Sequence, residues 1–376
     1  MTLNFSHLQS IGWTNYFMQQ LSAQLSFDEL TALHSDEEPT NQPYAVFRIT
    51  AIHRDRIEAI GELGSSNLIS TDLLCPPEFR PTSLFLAVGD WVLAERAEEH
   101  WRIKLVVEPK SRLQRLSVDQ PQLIAANLDY LWIVTSANQD FNLKRLQRYL
   151  ALALEANIEP VVILTKSDLC SEAELEEYLA QLKKLNCHLI HAISTLEGTG
   201  LDTLKTYLNS GTSIALVGSS GVGKSSLLNA LAGTQQEVAG IREDDDKGKH
   251  TTTARQLFFI DSADEKAHGK VAVIDTPGMR ELQLFNSQQG IEETFADIHS
   301  LAQDCRFSDC HHEQEPGCKV REALENGTID PSDFNNYQKL LKEDEHIKRR
   351  DLGSHAERKH QRSFSKMVKT MNKEIW

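Results

Sequence analysis

Two short motifs, and the order in which they occur, constrain this chain more than anything else in it. Gly218-Ser219-Ser220-Gly221-Val222-Gly223-Lys224-Ser225 has the form of a phosphate-binding loop. It follows the apolar run Ser213–Val217 and opens a helical pattern, which is the strand–loop–helix context such a loop requires. Its glycines let backbone N–H groups turn inward around phosphates, and the helix N-terminus adds a favourable dipole. Lys224 would reach the β and γ oxygens, and the Ser225 hydroxyl would ligate Mg²⁺. Thr165-Lys166-Ser167-Asp168 has the form of a guanine reader and closes the apolar run Val161–Leu164. Asp275-Thr276-Pro277-Gly278, at the end of a further apolar strand, has the form of a switch. In the common order the base reader comes last; here it comes first. That order predicts a circularly permuted α/β P-loop GTPase domain with GTP as substrate, GDP as product and Mg²⁺ as cofactor.

Each motif carries its own chemistry. A carboxylate at Asp168 can accept two hydrogen bonds from guanine N1–H and the exocyclic amine, and a buried carboxylate left unpaired by adenine is penalised. Lys166 would pack over the base plane. Ser194, at the end of the next strand, is a small residue where backbone groups could meet the guanine O6. Asp275 would hold Mg²⁺ through water, and the Gly278 N–H would contact the γ-phosphate and sense its loss. Thr251, Thr252 and Thr253 follow the charged stretch Arg242–His250, and any one of them, Thr252 in the middle included, offers a hydroxyl to Mg²⁺. Many GTPases place a Gln directly after the switch glycine to orient the attacking water. Met279 stands there in this chain and cannot do so. His250 is the nearest residue with suitable chemistry; the competing reading is a solvated loop histidine.

Upstream and downstream, the pattern changes. Residues 1–43 are polar and acidic with one weak amphipathic stretch, predicted as a short helix and linker. From 44 to 115 come short β-rich runs, Val46–Ile52, Arg56–Ile60, Ser83–Ala87, Asp90–Ala94 and Trp101–Val107. Five such strands suit an N-terminal OB-type β-barrel. From 116 to 285 strands and helices alternate, as in a parallel sheet covered by helices. Residues 286–345 turn helical and hold Cys305-x4-Cys310-x-His312-x5-Cys318. Three thiolates and one imidazole make a closed tetrahedral set, the arrangement of one structural Zn²⁺ with no position open for catalysis. His311 is the alternative nitrogen ligand. The region is expected to be a C-terminal α-helical zinc-binding domain.

Charge bears on partners. The 376-residue chain carries a formal −15, which argues against a uniformly basic nucleic-acid-coating protein. Its last segment, 346–376, has nine Lys/Arg against three Asp/Glu, so roughly +6 there leaves about −21 on the rest. Such a stretch suits phosphate backbones, against the plainer alternative of a solvated helix face. No Lys or Arg precedes Arg48, and no apolar run approaches membrane-spanning length. The expectation is a cytoplasmic, monomeric protein with no membrane partner.

Taken together, these residues resemble the RsgA (YjeQ/YloQ) family of circularly permuted GTPases. The resemblance covers about residues 44–345. It rests on Thr165-Lys166-Ser167-Asp168, Gly218–Ser226, Lys249-His250-Thr251-Thr252-Thr253, Asp275-Thr276-Pro277-Gly278-Met279-Arg280 and the Cys305/Cys310/His312/Cys318 set. It implies an oligonucleotide-binding barrel, one zinc, and GTP hydrolysis stimulated by the 30S ribosomal subunit during its late maturation, with contact to ribosomal RNA. It also implies that His250 replaces the missing glutamine. The rival expectations are a permuted GTPase of large-subunit assembly and an RNA-binding scaffold with a vestigial nucleotide pocket. The first 43 residues lie outside the resemblance, and the basic tail is weakly covered by it.

Overall fold

A computed structural model describes residues 6–33, 42–53, 56–62, 68–76, 86–117, 120–232, 255–263, 269–275, 284 and 287–348. His250, Thr252 and Gly278, and the basic tail from 349 onward, lie outside the described residues.

Three short helices lead: α1 (Ser6–Ser10), α2 (Asn15–Gln24) and α3 (Phe27–Leu33). The expectation of a helix plus linker needs correcting, because this segment is part of a core. Leu8, Ile11, Trp13, Phe17, Leu21 and Leu33 are buried against Val46, Trp91, Leu93 and Val107 of the following domain. Trp13 meets Trp91 edge-on at 4.9 Å. Burial of a side chain the size of Leu or Phe stabilises by about 1.5–3 kcal/mol, so six of them hold the segment in place.

The barrel comprises β1 (Tyr44–Ile52), β2 (Ile57–Glu62), β3 (Leu68–Leu74), β4 (Trp91–Ala97) and β5 (His100–Val106). The pairings β1–β2, β2–β3, β3–β5, β5–β4 and β4–β1 close it, as an OB-type barrel requires. Phe47, Ile49, Ile57, Leu73, Val92, Trp101 and Ile103 fill its interior. The sequence reading missed β3, in which only Leu73 is fully buried, so no clear alternation marks it. Where a strand was expected at Ser83–Ala87, the described part, Leu86 and Ala87, is buried but not in a strand.

A hairpin of β6 (Arg112–Ser117) and β7 (Gln120–Ala126) connects the barrel to the next domain. That domain holds β8 (Tyr130–Ser136), α4 (Leu143–Glu155), β9 (Glu159–Thr165), α5 (Glu172–Leu182), β10 (Ile190–Ala192), α6 (Leu201–Lys205), β11 (Ser213–Val217), α7 (Lys224–Ala232), β12 (Gln256–Asp261) and β13 (Lys270–Asp275). The sheet order is β10-β9-β8-β11-β13-β12. The first five strands are parallel and β12 is antiparallel to β13. β8, β9 and β11 are buried on both faces, which is why they read as continuous apolar runs, whereas the edge strand β10 is half-buried.

β12 pairs with β1 through Ala51 and Gln256, so barrel and nucleotide sheet are continuous. Arg48 adds a buried joint. Its guanidinium donates to Ile11 O, beyond α1, and to Ser213 Oγ on β11 at 2.8 Å. Burial lowers its pKa to about 10, while Asp129 and Asp90 oppose that shift.

The C-terminal region contains α8 (Gln288–Thr294), α9 (Ala296–Gln303), α10 (Lys319–Glu325) and a helix, α11, through 331–348. It has no separate core among the described residues. Val320, Ala323, Ile329, Phe334, Tyr337 and Leu340 share one cluster with Leu146, Leu150 and Ala151 of α4.

Candidate nucleotide and metal sites

The phosphate loop starts where β11, buried along its whole length, leaves the sheet. Gly218 has φ 148°, and a Cβ there would lie 2.2 Å from Val134 O on β8. No other residue fits. Gly221 and Gly223 also have positive φ, 74° and 95°, the backbone conformations an anion-cradling loop needs. Val222 is buried beneath the loop. Lys224, at the first position of α7, folds back so that Nζ donates to Gly218 O at 2.9 Å and Ser219 O at 2.7 Å. That holds its charge over the loop. Ser225 and Ser226 are exposed in the first turn of α7, and Ser220 is exposed on the loop.

The base reader is bonded directly to that loop. Thr165 is buried, and its hydroxyl lies 2.6 Å from Val222 O and 3.0 Å from Thr135 O, donating to one at a time. Lys166, in a left-handed conformation at φ 60°, donates from Nζ to Gly221 O at 2.7 Å. Elements more than fifty residues apart, in the reverse of the usual order, thus form one pocket wall. Ser167 and Asp168 follow in a single 3-10 turn, both half-buried. The Ser167 N–H donates to Ile193 O at 3.1 Å, which draws the end of β10 against the reader. Ser194 is fully buried there, and its hydroxyl accepts from the Glu197 N–H at 3.1 Å. Its backbone follows directly on Ile193, whose carbonyl accepts from Ser167.

Asp275 ends β13 alongside β11, whose Ala215 is in register with Ile274. Backbone position thus brings the switch aspartate to the same sheet edge as the phosphate loop. One neighbour carries no motif. Arg145, in the first turn of α4, donates from Nη1 to Ser219 Oγ and lies 3.3 Å from Asp140. Sequence reasoning missed it because a single Arg in a helical stretch carries no spacing signal.

The four predicted metal ligands also meet. The ligand atoms of Cys305, Cys310, His312 and Cys318 all lie within 4.8 Å of one another. His312 Nδ1 is 3.6 Å from Cys305 Sγ and 3.4 Å from Cys318 Sγ, and the two sulfurs are 3.9 Å apart. Sulfurs on a tetrahedron with metal–sulfur bonds of about 2.3 Å would be about 3.8 Å apart, so the set has the size of a zinc site. His312 reaches it from a left-handed backbone at φ 62°, with Gly317 at φ 78° closing the loop. His311, the alternative ligand, is exposed and outside the cluster; its N–H donates to Glu315.

A closed OB-type barrel, a P-loop sheet with its base reader preceding its phosphate loop, and a clustered Cys/His set define a circularly permuted GTPase with attached modules. A family profile described as RsgA GTPase matches residues 106–285. The small ribosomal subunit biogenesis GTPase RsgA 2 of Vibrio vulnificus is 42% identical over 341 residues, covering 89% of this chain and 87% of that protein. RsgA of Mesorhizobium japonicum is 40% identical over 354 residues, covering 92% of each. The crystal structure of YjeQ from Thermotoga maritima matches with a TM-score of 0.57 and 28% identity, over 80% of this chain and 98% of that one. YloQ, described as a circularly permuted GTPase, shares the fold at a TM-score of 0.55 and 22% identity. The chain belongs to the RsgA GTPase family. It is a guanine-nucleotide-binding, GTP-hydrolysing enzyme.

Proposed function

We propose that this GTPase acts in late maturation of the 30S small ribosomal subunit, hydrolysing GTP to GDP and phosphate when the subunit stimulates it. The observation that carries the nucleotide half is the bond from Lys166 Nζ to Gly221 O, beside that of Thr165 to Val222 O. Base reader and phosphate loop are held as one unit, as guanine-dependent phosphate chemistry needs. The ribosomal half is supported by relatives named as small ribosomal subunit biogenesis GTPases across most of their length. Barrel before and zinc module after the GTPase sheet favour this reading over large-subunit assembly.

In this reading the loop Gly218–Ser226 takes the phosphates, with Lys224 neutralising charge on the β and γ oxygens as it develops. Asp168, Lys166, Thr165, Ser167 and Ser194 select guanine. Mg²⁺ would be held by Ser225, by Asp275 through water and by Thr252, and Gly278 would report the γ-phosphate. His250 would orient the attacking water in place of Met279. Cys305, Cys310, His312 and Cys318 would hold one structural Zn²⁺. The protein would work in the cytoplasm as a monomer, contacting ribosomal RNA. No described helix is long and apolar enough to cross a membrane. GTP would favour the ribosome-bound arrangement and hydrolysis its release.

The test is steady-state GTP hydrolysis by the full chain alone, with purified 30S and with purified 50S. Stimulation by 30S only is expected. Stimulation by 50S only would move the protein to large-subunit assembly, and no hydrolysis under any condition would leave an RNA-binding scaffold. Equal 30S affinity with GDP and a non-hydrolysable GTP analogue, measured by sedimentation, would overturn the release step.

A further inference from the structure

Helix α4 touches the phosphate loop at its first turn and the C-terminal helices at its next three. At the loop end, Arg145 Nη1 donates to Ser219 Oγ, with Asp140 Oδ1 and Oδ2 at 3.3 and 3.4 Å on the same nitrogen. Ser219 is also the residue whose carbonyl accepts from Lys224 Nζ at 2.7 Å. Two cations therefore converge on one loop residue, one through its side chain and one through its backbone. Gly218, just before it, is pinned against Val134 O on β8. Ser219 follows that pinned glycine, and its side chain is tied to α4 while its carbonyl is tied to Lys224.

The rest of α4 is fastened to the zinc-bearing region. Gln147, buried to 4% exposure, donates from Nε2 to Asp333 Oδ1 at 2.8 Å and accepts from Asn336 Nδ2 at 2.7 Å. Arg148 grips Glu343 in a two-pronged pair at 2.6 and 2.7 Å. One turn further on, Gly290 of α8 lies so close that a Cβ would stand 2.0 Å from Ala151 O, and its N–H donates to Glu155 at 2.9 Å. Packed contacts of this kind do not deform continuously; they shift as a body. A displacement of α8 or α11 therefore carries α4, and α4 carries Arg145.

We infer that α4 transmits the state of the zinc-bearing helical region to the phosphate loop, with Arg145 as the positioning residue at the loop end. A shift of α4 moves Ser219, and with it a carbonyl that places the Lys224 ammonium. Nucleotide affinity and the alignment of Lys224 then depend on what the C-terminal helices touch. The inference deepens the ribosomal reading by naming the route from a C-terminal contact to the loop, yet the coupling itself is a property of the isolated chain.

The experiment is a double-mutant cycle on dissociation of a fluorescent N-methylanthraniloyl-GDP from the full-length protein. Glu343→Gln, which loosens α11 from Arg148 on α4, is expected to raise the off-rate by about fivefold. In the Arg145→Ala background the same change is expected to move it by less than about twofold, since the link to the loop is already cut. Arg145→Lys, which keeps one donor within reach of Ser219, should restore part of the Glu343→Gln effect. Arg148→Gln breaks the same ion pair from the other side and serves where Glu343→Gln folds poorly, with melting temperature followed for every variant. An unchanged off-rate in both Glu343→Gln and Arg148→Gln, or fully additive effects with Arg145→Ala, would overturn the inference. A wild-type chain not stimulated by 30S would remove the ribosomal reading and leave this result standing or falling by itself.

Discussion

In the proposed reading the Asp168 carboxylate is the side chain that selects guanine. It sits half-buried in a one-turn 3-10 segment whose start is fixed by the bonds of Thr165 and Lys166 to the phosphate loop. Guanine offers it two donors, and adenine offers neither in that arrangement. Asp168→Asn is expected to weaken GTP binding by about a hundredfold or more. Xanthosine triphosphate should gain affinity, because an amide can donate to the extra exocyclic oxygen. Calorimetry with the two nucleotides checks both halves, and an Asn variant that still prefers GTP would refute the role. Asp168 was nominated by the sequence because Thr165, Lys166 and Ser167 precede it directly in the chain, and the bonds of Thr165 and Lys166 to the loop hold that segment in place. Arg145 was not, since Ser219, its partner, is 74 residues away.

Among elements, the phosphate loop and the N-terminal helices lie at opposite extremes. The loop is written locally: a buried strand, glycines at positions that need positive φ, then a lysine at a helix start. The N-terminal helices are short, and their apolar residues are shared among three pieces, so no long 3.6-residue period marks them. Only docking on Trp91, Leu93 and Val107 reveals their use. Phe17, with 0% exposure, makes the test. Phe17→Ala is expected to destabilise the barrel by about 3–5 kcal/mol, measured by denaturant unfolding. A loss below about 1 kcal/mol would mean that the segment is a loose appendage after all. Strand β3 was hidden for a related reason, because most of its side chains stay at least partly accessible and only Leu73 marks an inner face.

Over the whole molecule, the three regions are joined rather than strung together. Gln256, three residues beyond Thr253, is in register with Ala51 of the barrel, and Arg255 donates to Leu123 O of the hairpin at 2.7 Å. The chain from Arg255 onward is therefore anchored on the barrel side, while Asp275 leads onward to the C-terminal helices. Both flanking modules are joined to the nucleotide-binding domain, the barrel through β12 and Ser213 and the C-terminal helices through α4, which the order of motifs alone did not disclose. The Cys/His cluster lies at the edge of the core shared by α4, α10 and α11, with Cys318 itself buried in it. Removing metal with a chelator, or making Cys310→Ser, should release one equivalent of zinc and lower the melting temperature by several degrees. Faster hydrogen exchange across 305–325 should accompany the loss. A metal analysis that finds no zinc in the purified protein, or an unchanged melting curve after its removal, would dismiss the structural role.

Spacing along the chain determined the chemistry: which residues could cradle phosphates, read guanine and hold a tetrahedral metal, and that the base reader comes first. Those features are short-range, because backbone conformation and neighbouring donors act over a few residues. Barrel closure, the docking of the first helices, the Arg48 joint, the β12–β1 pairing and the convergence of Arg145 with Lys224 on Ser219 were decided only in three dimensions. Each joins segments far apart in sequence. Such contacts form once their loop-closure entropy is offset by burial, and no local pattern records that balance.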